Sequence, residues 1–309
     1  MRILITGGAG FIGSHLAENL LERNHELLVI DNFSTGRRDN LNAIAGGIRL
    51  VEESIADTAK VAEVFADYSP EMVIHCAASY KNPENWTEDI RTNALGTANV
   101  VQSSVKAGVG RFIYFQTALC YGNFPKEQPV TLKSPLVPES SYAISKTAGE
   151  NYIALSGLEF LSFRLANIYG PRNVSGPIPT FFSRLSSGKG CFVVNSRRDF
   201  VFVQDLVRIL MQAVDGRGSR GYYHVSTGAD YSIKEIYEAV TGAMGINTSA
   251  EERERGKDDA PTILLDPSKT YRDFDWKAET PLRDGIRAAV EWYGKNGVGE
   301  TYTHLKLEK

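Results

Sequence analysis

Tyr142 and Lys146 stand four residues apart in the stretch Tyr142-Ala-Ile-Ser-Lys146. In a helix that spacing puts the phenol and the ammonium on one face. A tyrosine with an ordinary pKa of about 10 is a poor base at neutral pH. A neighbouring ammonium favours the phenolate, and the pair can then take or give a proton at an alcohol or carbonyl oxygen. The same spacing occurs by chance on many surface helices, so its place in the chain has to separate the two readings. Thr117 follows the apolar run Arg111-Phe-Ile-Tyr-Phe115 and offers a hydroxyl to the same oxygen. Alone, a threonine after a strand is an ordinary turn residue.

A second chemical pattern opens the chain. Met1-Arg-Ile-Leu-Ile5 reads as a strand, Thr6-Gly7-Gly8-Ala9-Gly10-Phe11-Ile12-Gly13 as a glycine turn, and an amphipathic helix starts near Ser14. The next strand, Glu26-Leu-Leu-Val-Ile30, ends at Asp31, eighteen residues beyond Gly13. Glycines let the backbone turn tightly against a pyrophosphate at the positive end of the helix, and the acid can take ribose hydroxyls. Strand, glycine turn, helix, strand and acid in that order imply a dinucleotide site. Asp31 favours NAD over its 2′-phosphorylated form, with Arg37 and Arg38 the residues that would soften that preference.

The elements that must position these groups alternate regularly. Strands are expected at 48–51, 72–75, 111–115 and 161–164, and helices at 59–68, 92–107 and 141–155. Near-continuous apolar strands between helices imply a doubly wound parallel sheet covered on both faces, an α/β Rossmann fold. After about residue 165 a Gly- and Pro-rich crossing segment, 169–179, is followed by helical patterns at 180–187, 204–214 and 233–243. The expected organisation is a dinucleotide-binding domain over 1–165, with a returning segment near 199–225, and a smaller α/β substrate-binding domain mainly over 166–309. Residues 250–259 are strongly charged and read as a loop.

Composition narrows the function. The 309 residues are 42% hydrophobic and 23% charged with net charge −3, which disfavours nucleic-acid and anionic-membrane partners. No apolar stretch reaches membrane-spanning length. The N-terminal residues read as a core strand rather than a secretory signal. Cys76, Cys120 and Cys191 are widely spaced and read as reduced thiols of a cytoplasmic protein. The five histidines have no metal-ligand spacing, so no metal is expected.

Further segments join these in order: His75-Cys-Ala-Ala78, Asn93-Ala-Leu-Gly-Thr97, Thr117-Ala-Leu-Cys-Tyr-Gly122, Arg164-Leu-Ala-Asn-Ile-Tyr-Gly-Pro171, Arg198-Asp-Phe-Val-Phe-Val-Gln-Asp205 and Arg255-Gly-Lys-Asp258. Over nearly its whole length the chain resembles the extended short-chain dehydrogenase/reductase family, in its nucleotide-sugar epimerase/dehydratase branch. The segment 115–122 and Leu265-Asp-Pro-Ser-Lys269 are most similar to a subgroup encoded in bacterial O-antigen clusters, whose members act on UDP-linked acetamido sugar acids.

The resemblance implies NAD as cofactor. It implies that Gly7, Gly10 and Gly13, with Phe11, Ile12 and Ala77, hold the pyrophosphate side. Asp31 and Asn32 would bind the adenosine ribose, and Ser54 and Ile55 would flank adenine. The family usually has Asp at the position of Ser54. Thr117, Tyr142 and Lys146 would be catalytic, with Lys146 also on the nicotinamide ribose. Asn167, Arg198 and Arg255 would contact the nucleotide sugar. A homodimer through the helices at 92–107 and 141–155 is implied in the same way.

Departures from the family pattern carry information too. Its dehydratases place Asp-Glu directly after the catalytic threonine, and related decarboxylases keep a Glu at the second position. Here Ala118 and Leu119 stand there. Elimination and decarboxylation need proton handling beyond the reacting hydroxyl. Cys120 is the one candidate for an extra acid/base and reads more simply as a core thiol. The expected activity is therefore epimerisation at C4 of a nucleotide sugar, by transient oxidation and hydride return. The alternatives are a net NAD-dependent oxidoreductase or dehydratase on the same substrate class, or a catalytically inactive NAD-binding protein. Lys81 follows the 72–75 strand closely. It is expected either to face a C6 carboxylate or to be a solvated loop residue.

Overall fold

Runs of Ile, Leu and Val with no polar alternation make strands that need cover on both faces. In the computed structural model, which describes residues 1–256 and 259–302, β1 (Arg2–Thr6), β2 (Glu26–Ile30) and β4 (Met72–His75) are such strands. With β3 (Ile48–Val51), β5 (Arg111–Thr117), β6 (Phe160–Leu165) and β11 (Gly221–Val225) they form a seven-stranded sheet, ordered β11-β6-β5-β4-β1-β2-β3. Pairing is parallel from β3 through β2, β1 and β4 to β5. The strand order reverses between β1 and β4, the crevice where open α/β sheets bind their ligands. The doubly wound α/β fold expected from the sequence is the fold observed.

The helices of the first half include α1 (Phe11–Glu22), α2 (Thr58–Tyr68), α4 (Thr97–Ala107) and α5 (Ser141–Leu155). The helix expected at 92–107 is not one regular element. A short helix α3 (Trp86–Asp89) runs into a π turn, Ile90–Gly96, before α4. A Cβ on Gly149 of α5 would lie 2.8 Å from the carbonyl oxygen of Asn93 in that turn, so the two backbones can approach this closely only at a glycine. α4 ends at Gly108 in the left-handed region, as its C-cap position requires.

The chain divides into two compact units. The first is 1–120, 137–164 and 207–223; the second is 121–136, 165–206 and 224–309. Against the expected boundaries, 121–136 groups with the second unit, and the return to the first begins at 207. The core of the first joins Leu4, Val73, Phe112 and Tyr114 of the sheet to Val61 and Phe65 of α2 and Val100 of α4.

The second unit has its own core, in which Tyr169, Phe181, Phe200, Ile236, Tyr237 and Tyr293 are buried. Its paired strands are two or three residues long and form separate two-stranded ladders. They include β7 (Asn167–Tyr169) with β10 (Phe200–Phe202) and β9 (Arg197–Arg198) with β12 (Tyr231–Ser232). Here α6 (Pro177–Ser186) starts three residues earlier than expected, with proline in its first turn, where a missing N–H costs nothing. The charged segment 250–259, expected as a loop, contains β13 (Glu251–Arg253), paired with β8 (Phe192–Val194). α8 (Ile233–Met244) and α10 (Leu282–Asn296) complete the layer.

Candidate active site

The turn after β1 is shaped by what a side chain would strike. Gly7 has φ +69°, and a Cβ there would lie 2.6 Å from the backbone nitrogen of Ala77, beyond β4. A Cβ on Gly13 would collide with the carbonyl oxygen of Gly7. At Gly7 the turn after β1 thus lies directly against the backbone that follows β4. α1 begins at Phe11 with Gly10 as its N-cap and no side-chain capping bond, so its first N–H groups, at Phe11, Ile12 and Gly13, face outward without a protein acid. This cradle fits a pyrophosphate.

Asp31 ends β2 and is buried. Its carboxylate accepts from Ala9 N at 2.9 Å and Phe33 N at 2.8 Å, and burial raises its pKa above the usual carboxylate value. A Cβ on Gly36 would lie 2.9 Å from one of its oxygens. Asn32 is exposed, with its side-chain oxygen accepting from Ser34 N. Arg37 and Arg38 are both engaged by carboxylates, those of Asp39 and Glu52. Ser54 Oγ accepts from Ala56 N at 3.2 Å, and Ile55 is a core residue whose carbonyl is taken by Asn99.

Thr117 closes β5. Its N–H donates to Gln116 Oε1 at 2.8 Å, and its hydroxyl oxygen accepts from Leu119 N at 3.2 Å, which leaves the hydroxyl proton to donate elsewhere. Ala118 and Leu119 begin a 3₁₀ turn that carries no acid. Cys120 in the same turn has no exposed surface, and burial pushes its thiol up to about 12.

Tyr142 and Lys146 lie in the first two turns of α5, whose N-cap Ser140 accepts from Ala143 N at 3.2 Å. Lys146 is 3% exposed, and desolvation lowers its pKa to about 7. Its Nζ lies 4.0 Å from the centroid of the Tyr114 ring. Tyr80 packs edge-on against Tyr142, with ring centroids 4.5 Å apart.

The loop after β4 is fixed to α5 through Asn93. Its amide donates to Ser79 O at 3.0 Å and Ser145 Oγ at 3.1 Å, and its side-chain oxygen accepts from Ser79 N at 2.8 Å. Lys81, two residues past Ser79, is exposed. At the end of β4, His75 lies between Thr6 Oγ1 at 2.5 Å and Thr97 Oγ1 at 2.9 Å, and burial lowers its pKa to about 3. Sequence reading missed Tyr80, Tyr114 and the role of Asn93. Only Asn93 stood in a recognised motif.

In the second unit, Asn167 starts β7, and its side-chain amide donates to Asp199 O at 3.1 Å. Arg198 donates to Asp259 Oδ1 at 2.5 Å, Ala260 O at 2.8 Å and Arg197 O at 2.7 Å. Arg255 donates to the carbonyl oxygen of the same Asp259. The two arginines singled out in the sequence therefore meet at one acidic residue that was not. Lys257 and Asp258 of the Arg255 motif lie outside the described residues. Among the described residues no cluster of potential metal ligands occurs.

Residues 3–225 match the family model "NAD dependent epimerase/dehydratase family". The chain belongs to this family. Among solved structures, it is similar to the Bordetella bronchiseptica enzyme WbmH in complex with NAD⁺, at 54% identity and TM-score 0.92 over 96% of this chain and 99% of that one. It is similar also to WbmG of the same organism, solved with NAD and UDP, at 44% identity and TM-score 0.90 over 98% and 97%. A putative UDP-glucose 4-epimerase of Methanocaldococcus jannaschii is 30% identical, across 95% of this chain and 99% of that protein. Family membership and the glycine cradle agree on NAD as the cofactor of this chain.

Proposed function

We propose that the protein is an epimerase of a UDP-linked sugar, acting by transient oxidation at C4, and that it serves cell-surface polysaccharide (O-antigen) synthesis from the cytoplasm. The carrying observation is that Tyr142 and a buried Lys146 stand one turn apart on α5, while Thr117 at the end of β5 is followed by Ala118 and Leu119 rather than acids. Gly7, Gly10, Gly13, Asp31 and Lys146 would hold NAD, which would supply a reversible hydride acceptor. Arg37 and Arg38 are each held by an acid, which weakens the case for a 2′-phosphate.

Tyr142 takes the proton of the 4-hydroxyl as the C4–H bond breaks, and returns it when C4 is reduced from the other face. Thr117 donates its hydroxyl proton to the same oxygen. The Lys146 ammonium favours the ionised form of Tyr142. Asn167, Arg198 and Arg255 hold the nucleotide diphosphate and its ribose. Lys81, exposed near Tyr80, faces the C6 carboxylate of a uronate substrate.

Support for the O-antigen assignment comes from the 115–122 segment, and for the UDP base from the WbmG complex. Cytoplasmic placement rests on three cysteines carried as thiols. A homodimer through the 92–107 segment and α5 is supported by exposed apolar side chains at Leu95 and Val105, and at Ile144, Tyr152 and Leu155 on α5. Sedimentation of the protein and of Leu155→Glu tests it, and a monomeric wild type excludes it.

Turnover of UDP-hexuronates and their neutral counterparts in D₂O tests the reaction. C4 inversion with no deuterium at carbon, and a Lys81→Ala loss confined to the uronate, is expected. Deuterium at C5 moves the chemistry to C5, net consumption of NAD makes the protein an oxidoreductase, and equal losses for both sugars remove the uronate.

A further inference from the structure

Tyr114 has no exposed surface and lies in the middle of β5, with its ring directed toward α5. Two contacts bind it to the same residue of that helix. The Lys146 ammonium nitrogen is 4.0 Å from its ring centroid, and its hydroxyl donates to the Lys146 carbonyl oxygen at 2.9 Å. The hydroxyl reaches the helix backbone because residue 149 is glycine, where a Cβ would stand 3.0 Å from the phenol oxygen. The ring is braced in turn. His75 stacks on it at 5.6 Å between centroids, and His75 is fixed by Thr6 and Thr97. Such a ring face attracts a cation, and more strongly when water is excluded.

We infer that Tyr114 is a positioning residue for Lys146, its ring keeping the buried ammonium charged and its hydroxyl fixing the helical turn that carries it. Without the ring, desolvation acts on the ammonium with less opposition, because burial penalises the charged form. The other titratable groups facing Lys146 are Cys76 and His75 at the end of β4, and Glu150 one turn further along α5. Glu150 is already committed to Arg164 at 2.7 Å and Ser162 at 2.5 Å, and His75 is neutral at physiological pH. Tyr142 also faces Tyr114. The aromatic face is thus a source of stabilisation for the ammonium that carries no competing demand. The inference deepens the proposed function, since it gives Lys146 its charge in the role assigned there.

The test separates ring from hydroxyl. Tyr114→Phe keeps the ring and removes the hydroxyl, while pentafluorophenylalanine at 114 keeps the shape and reverses the ring's electrostatic face. Lys146 is followed by ¹⁵Nζ NMR, assigned with Lys146→Met, and kcat is followed against pH. The fluorinated ring should lower the Lys146 titration by about half to one and a half pH units relative to Phe. It should also move the acid limb of kcat to higher pH, with KM unchanged. Tyr114→Phe should keep the wild-type titration and lose a few-fold in kcat. An unchanged Lys146 titration in the folded fluorinated protein overturns the inference, whatever the activity. A shifted titration in a protein with no epimerase turnover supports Tyr114 and removes the proposed reaction instead.

Discussion

The two units hold their charged groups in opposite ways. In the first, Lys146 is 3% exposed and its surroundings are an aromatic face, a neutral histidine and a thiol. Its immediate contacts include no free carboxylate, since Glu150 is bound to Arg164 and Ser162. In the second, the Arg198 and Asp259 side chains are each 20% exposed, and the arginine is spent on the acid and on two carbonyl oxygens. On the proposed function, the first arrangement keeps Lys146 of the proton-handling pair in a medium where electrostatic effects are strong. On the same proposed function, the second holds a cation in a contact that the substrate diphosphate would exchange for its own.

Three changes sharpen or break that contrast. The largest effect is expected at Tyr142→Phe, which removes only the proton carrier. kcat should fall about 10²–10⁴-fold while NAD and UDP still bind by calorimetry. A variant within a few fold of wild type would take the chemistry away from α5.

Next in size is a stability effect. His75 titrates near 3 in the folded chain and near its ordinary value once unfolded. The unfolded chain therefore binds the extra proton first as pH falls. Stability is full above about 6.5 and is lost through the window down to about 3, on the order of a few kcal/mol. Urea titrations across that window should be flatter for His75→Gln; parallel curves would mean that the dry site does not depend on it.

The smallest effect is expected at Asp259→Asn. A pair still partly screened by solvent contributes up to about 1 kcal/mol, so UDP should bind up to about five-fold more tightly once the competing carboxylate is gone. Weaker UDP binding would instead make Asp259 a nucleotide ligand and erase the contrast.

What was legible in the sequence follows the range of the contacts. The glycine turn, Asp31 and the Tyr142–Lys146 spacing are local patterns, and the strands of the large sheet announce themselves as unbroken apolar runs. Tyr114 was read only as one of four apolar positions in its strand, because its partner Lys146 is thirty-two residues away. Asn93 was visible as part of a motif, but its bonds to Ser79 and Ser145 span fourteen and fifty-two residues. In the second unit, strands of two or three residues are too short to show any period. Asp259 lay inside a charged run in which nothing marked one acid from another.

The Asn93 amide has an evolutionary consequence. One side chain fastens both the loop that leads to Tyr80 and Lys81 and the helix that carries Tyr142 and Lys146. On the proposed function, a substitution there disturbs substrate choice and rate together, so selection for a new sugar cannot proceed through it. Lys81 lies beyond the fastened Ser79 and is exposed. Divergence in substrate range among relatives of this chain should therefore accumulate past Ser79, while the Asn93 tether stays constant.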